Sequence, residues 1–325
     1  MMKRIYFAAF AAALALTGCS KAGFAPDNGV TPEHNYPVTD QKQVQLTVNV
    51  SDLAMNTKIT GKINDGSINT LQVFVFNKHG LFETSASTSG SQVTFSCTAG
   101  SKTIVTLVNA KTETGVTTLE EFSARKATLE TTNQNNCVMV GSVKHDVVES
   151  GSVLIPVTRL AAMVGLRSVA LSFTAPYLRT LPFAIKSVYL INAAGDRAYI
   201  DTVAPDHIYN VGALDEDNTL DILYDAVAEG SITSGGQKYE TDHYFYCYPN
   251  SSSALTRLVI EAELDGDTYY YPIELSNITS NNKYLYDVTI KGLGKDSPDI
   301  LLSPVDLLAA VTVNDWVDTT SKVEL

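Results

Sequence analysis

Apolar and polar residues alternate with a period of two along most of this chain, which predicts β-strands. The strictest case is Val44-Gln45-Leu46-Thr47-Val48-Asn49-Val50. Val44, Leu46, Val48 and Val50 fall on one face, and Gln45, Thr47 and Asn49 on the other. Residues 71–76 (LQVFVF) run into Asn77-Lys78-His79-Gly80, a strand followed by a turn. Residues 93–95 and 103–108 repeat the pattern around Ala99-Gly100, and residues 138–140 and 153–157 add two more strands. Beyond Arg159 the pattern restarts at 161–171 and 184–192, with a turn at Ala194-Gly195-Asp196. Residues 255–264 and 268–275 flank Asp265-Gly266-Asp267, a strong hairpin signal. Residues 244–248, 283–291 and 307–313 complete the set, and only 119–129 reads as a helix, with Leu119, Phe122 and Leu129 on a rough stripe.

Many short strands, regular turn signals and almost no helix predict an all-β chain of antiparallel β-sandwiches. The length, 325 residues, fits two domains of ~150 residues, placed at 44–157 and 158–325. The front of the chain differs. Lys3 and Arg4 precede a 12-residue apolar run, 5–16. A membrane-spanning helix needs ~20 such residues, so residues 1–18 fit an export signal. The run ends in Leu16-Thr17-Gly18-Cys19, which looks like a bacterial lipobox, with the Cys19 thiol accepting a diacylglyceryl group. Residues 19–43 carry Pro26, Pro32, Pro37, Gly23 and Gly29 with little apolar content, the composition of a flexible tether.

Charge and cysteine count narrow the function classes. The formal charge is −12, and removing Lys3 and Arg4 with the signal makes it −14. Such acidity argues against nucleic acid, whose phosphates require a basic footprint. Beyond Cys19 only Cys97, Cys137 and Cys247 remain, too few for a disulfide framework, so they read as buried thiols. Nucleophile-elbow, zinc-protease, Cys-x-x-Cys, Walker and dinucleotide motifs are all missing from the sequence, so neither an enzyme nor a cofactor or metal is expected. Gly292-Leu293-Gly294-Lys295 lacks phosphate-loop spacing and reads as a turn. The acidic group Asp215, Glu216, Asp217, Asp221 and Asp225 lacks the central glycine of a calcium loop and reads as a solvated loop. Tyr244, Tyr246 and Tyr248 share one strand face, and Tyr269-Tyr270-Tyr271 follows the Asp-Gly-Asp turn. Such tyrosines serve either a half-buried sheet face or a sugar-stacking surface.

The order of several segments resembles a known family. VQLTVNV and INTLQVFVFNKHG are followed by CTAGSKTIVTLVNA and VLIPVTRLAAMVGL, then NKYLYDVTIKGLG and AAVTVNDW near the end. From residue 44 to 325 the chain resembles the fimbrillins, the shaft and accessory subunits of type V pili of Bacteroidetes. The resemblance implies two tandem transthyretin-like β-sandwich domains with Greek-key features. It implies a lipoprotein precursor, anchored through Cys19 at the outer membrane and then incorporated into an extracellular fimbrium. A trypsin-like surface protease would cut in the loop behind the first strand, releasing Val44, Leu46, Val48 and Val50. Family members are best known to be cut after Arg, yet no Arg occurs between Arg4 and Arg125; Lys58 stands at the matching position, with Lys62 as the alternative. The vacated groove would take a donor strand from residues 305–325 of another subunit, through Leu307, Ala309, Val311 and Val313. Partners would be like or unlike pilus subunits and a host glycan or protein receptor. Anchor, tip adhesin and surface glycan-binding lipoprotein are the alternative roles.

Overall fold

A computed structural model of the protein describes residues 42–52, 66–211, 221–228, 230–233 and 237–315. Cys19, Lys58, Lys62 and most of the acidic 215–221 group lie outside these residues. The described chain is almost wholly β, an all-β sandwich architecture, as the alternation predicts.

The N-terminal half contains β1 (Gln43–Asp52), β2 (Leu71–Asn77), β3 (Phe82–Thr88), β4 (Gln92–Thr98) and β5 (Gly100–Val108). It continues with helix α1 (Leu119–Ala124), β6 (Lys126–Thr128), β7 (Met139–Val147) and β8 (Gly151–Arg159). Seven strands form one sheet in the order β3-β2-β5-β7-β8-β1-β4. The sheet folds back on itself, because its two end strands, β3 and β4, are consecutive in sequence and lie against each other. Inside the fold Val44, Leu46, Val48 and Val50 meet Leu71, Val73, Ile104, Val108, Ile155 and Val157.

Strand β2 is buried on both faces, which explains its unbroken apolar run. Leu71 and Val73 face the β1 core, while Phe74 and Phe76 face Phe122 of α1. The helix is shorter than the apolar stripe predicts. Thr118 caps its N-terminus by accepting from the Glu121 N–H, and Arg125 leaves helical geometry after six residues. Residues 126–128 then pair with a strand at Asp196–Ala198, so a sheet pairing from the C-terminal half ends the helix.

That half holds β9 (Ala162–Leu171), β10 (Phe183–Ile191) and the short strands β11 (Ala193–Ala194), β12 (Asp196–Ala198), β13 (Ile208–Tyr209), β14 (Tyr224–Ala226) and β15 (Ser231–Ile232). The long strands β16 (Lys238–Cys247), β17 (Arg257–Leu264), β18 (Asp267–Glu274), β19 (Asn282–Ile290) and β20 (Leu307–Asp315) follow. Two sheets, β14-β10-β17-β18 and β16-β9-β19-β20, enclose a core that includes Leu166, Val188, Leu190, Ile260, Val288 and Ile290. This cluster is continuous with the Phe74–Phe76–Phe122 group of the N-terminal half. The predicted hairpin is present: Leu264 pairs with Asp267, and Asp265 and Gly266 both take positive φ (54° and 91°), the two-residue turn that a tight hairpin requires.

Candidate functional site

The site is built around β1. On one side β1 pairs antiparallel with β4, setting Val44 opposite Cys97 and Val48 opposite Val93. On the other it pairs parallel with β8, setting Val48 opposite Val153 and Val50 opposite Ile155. A strand lodged between two neighbours, one parallel and one antiparallel, occupies a slot with two walls. Its apolar face is shut from solvent, Val44, Leu46, Val48 and Val50 being 4%, 1%, 0% and 6% exposed. Burying four such side chains contributes on the order of 6–10 kcal/mol. Among the described residues its polar face is tied at the surface, through Gln45 to Ser96 and Thr47 to Thr94.

The two walls are unequally supported. Apart from β1, strand β8 keeps a ladder to β7 at Met139–Arg159 and Val140–Thr158. Among the described residues strand β4 ends the sheet, and its backbone ladder runs to β1 alone. A side-chain group fixes β4 at its C-terminal end. Glu83 of β3 accepts from the Thr98 N–H at 2.6 Å and from the Thr98 hydroxyl at 2.7 Å. Lys102 of β5 completes the group, donating to Glu83 at 2.5 Å and to Thr98 at 2.7 Å. The Lys102 side chain is 4% exposed and that of Glu83 17%. Burial works against the Glu83 charge, but Lys102 and Thr98 outweigh it and hold the carboxyl below its ordinary range. Burial, and then the Glu83 charge, push the neighbouring Cys97 thiol up, with Lys102 opposing.

Sequence reasoning assigned Glu83, Thr98 and Lys102 no role. A signal was present. Ile104 and Val108 point into the β1 core, so Lys102, two residues before Ile104, stands at an inward position of the same strand. An inward lysine demands a buried partner.

Strand β20 carries the other proposed residues. It pairs antiparallel with β19 over its whole length, Leu307 opposite Ile290 and Val313 opposite Tyr284, and closes the β16-β9-β19-β20 sheet as an edge. Leu307 and Ala309 pack partly on the core, but Val311 and Val313 are 47% and 53% exposed. The other candidates are structural. Tyr246, Tyr248 and Tyr271 are buried, so neither tyrosine group presents a continuous aromatic surface. Gly292 lies against Asp306, and Lys295 closes a backbone bridge with Tyr270, which makes 292–295 a turn. Asp225 bonds His243 at 2.5 Å, which pins β14 to β16. Among the described residues no group of His, Cys, Asp and Glu is arranged to hold a metal.

Residues 43–158, which contain β1, its two walls and the Glu83 group, match the family model of the major fimbrial subunit protein (FimA). Among curated proteins none matches the chain. Solved structures with the same fold include a candidate cell adhesion protein of Bacteroides eggerthii, 20% identical with a TM-score of 0.68, over 85% of this chain and 97% of that one. A fimbrilin of Porphyromonas gingivalis is 18% identical with a TM-score of 0.62, over 84% and 98%. The tip fimbrial protein Mfa3 of the same organism, with its C-terminus truncated, is 12% identical with a TM-score of 0.52, over 85% and 100%.

Proposed function

We propose, from the match of residues 43–158 to the family model of the major fimbrial subunit protein, that this chain is a structural subunit of a cell-surface pilus. Export as a lipoprotein through Cys19 brings the precursor to the outer membrane. A surface protease of trypsin-like specificity cuts after Lys58, or after Lys62, and β1 leaves. The slot between β8 and β4 then takes Leu307, Ala309, Val311 and Val313 from the last strand of a second subunit. The groove-bearing half, 44–157, and the donor-bearing half, 158–325, act as separate domains in this scheme. Joining two different surfaces head to tail yields an open filament rather than a closed ring. Adhesion follows from displaying that filament, and the acidic surface keeps its precursor soluble.

One observation carries the reading. The first strand fills a two-walled apolar slot, while the last strand is held on one side with its valines half in water. An apolar slot and an under-buried edge strand with an apolar face in one chain are complementary parts of an intermolecular contact.

The test is limited trypsin treatment of the purified precursor, with sequencing of the new N-terminus and sizing of the products. The expected result is a chain beginning at Ile59, or at Ile63 after a cut at Lys62, followed by growth of oligomers. Deleting residues 305–325 should leave cleavage intact and abolish growth. Polymers that persist after the deletion would remove the donor assignment, and a precursor uncut between residues 53 and 66 would remove the processing step.

A further inference from the structure

The slot poses a mechanical problem whose solution rests on the strand-exchange reading above. When β1 departs, β4 loses its whole ladder, Gln43–Thr98 to Asn49–Gln92, together with the Ser91 and Ala99 backbone bonds to Val50 and Lys42. It also loses the packing of Val93, Phe95 and Cys97 against Val44, Leu46 and Val48. A strand so stripped would collapse into the empty slot or fray, and in either case the acceptor wall would vanish. The hydrogen bonds of Thr98 to Glu83 of β3, joined by the Lys102 bond from β5, tie β4 to elements other than β1. Their anchor is firm, since β3 is laddered to β2 from Leu71–Thr88 to Phe76–Phe82 and never touches β1 in the sheet.

We propose that Glu83, with Lys102 behind it, is a positioning residue for assembly: it holds β4 in place while the slot is empty, so that an incoming donor strand finds a preformed wall. The charge arrangement suits the task. Lys102 is nearly enclosed, and its ion pair keeps Glu83 ionised and aimed at Thr98. A charged acceptor makes a stronger hydrogen bond than a neutral one. Neither β3 nor β5, which carry the pair, is laddered to β1, so withdrawal of β1 breaks no ladder of these two strands.

The experiment compares full-length chains after trypsin processing, measuring uptake of a labelled synthetic peptide of residues 305–325. The Glu83→Ala/Lys102→Met double variant removes the tie without stranding a buried charge, and uptake should slow on the order of tenfold. Thr98→Val, a milder change, should slow uptake by less, and Thr98→Ser should restore it. Melting of each unprocessed chain provides the control, because a tie that matters only to general stability would shift melting and uptake together. If the double variant fails to fold, the Thr98→Val and Thr98→Ser pair decides. Uptake at the wild-type rate in these variants would overturn the positioning role while leaving strand exchange standing. A wild-type chain that takes up no peptide would overturn the strand-exchange reading, and the positioning role with it.

Discussion

The first and last strands make an instructive pair. Both contribute four apolar side chains on one face, although β20 also carries Leu308 and Ala310 on the other. Their surroundings are opposite. Strand β1 has a neighbour on each side and its apolar face is closed off, whereas β20 has one neighbour among the described residues and leaves Val311 and Val313 about half exposed. Similar apolar faces thus yield unequal burial, and the difference separates a strand whose removal opens a core from one whose release costs little.

The largest expected effect comes from matched charge insertions. Val48→Asp buries a carboxylate in a site that is fully enclosed and should cost about 4 kcal/mol or more, with partial unfolding of the N-terminal half. Val313→Asp, at a site 53% exposed, should stay within ~0.5 kcal/mol. Urea denaturation of the two variants checks the contrast, and equal losses would erase the distinction between the strands. Matched truncations should follow at smaller scale. Leu46→Ala at 1% exposure should cost about 3 kcal/mol, and Leu308→Ala at 50% exposure well under 1 kcal/mol.

Acid should act on the β1 side through Glu83. Its carboxyl is held below the ordinary value of 4.5, so the folded state binds a proton less readily than the unfolded chain. The stabilisation is present above that ordinary value and is lost as pH falls through the lower folded value. Asp196 and Asp287 are lowered too, each against the cost of burial, by bonds with Lys126 and with Ser168 and Arg167 respectively, so the wild-type acid loss is shared. The Glu83→Ala/Lys102→Met chain should therefore lose less stability than wild type between neutral pH and pH ~3. Equal losses would show that the Glu83 pair contributes nothing.

The smallest effects are kinetic. Amides of β1 should exchange with solvent more slowly than those of β20, because β20 has a free edge. Cys97, Cys137 and Cys247 are all buried and should resist a thiol reagent in the intact chain. Displacing β1 should expose Cys97 alone, since it stands opposite Val44, while Cys247 belongs to the C-terminal core. Labelling of Cys247 under those conditions would mean that the opening is not confined to the slot.

Much of this was legible in the residues. The alternation of 44–50, the Asp265-Gly266 hairpin and the apolar run of β2 each correspond to an observed element. The apolar stripe over 119–129 predicts a longer helix than the observed Leu119–Ala124, because it does not reveal that 126–128 pair with β12. The tyrosine groups could not be sorted into buried or sugar-stacking from spacing, since a strand face carries no label for what covers it. The Glu83–Thr98–Lys102 group joins three strands, and only the inward register of Lys102 hinted at it.

By itself the sequence determined which residues share a strand face and where the chain turns, because these depend on the two-residue period of the backbone and on local φ preferences. Tertiary structure alone decided which alternating strand is walled in and which is left at an edge. That choice depends on pairings between residues about a hundred positions apart, such as Val48 with Val153, and no local pattern encodes them.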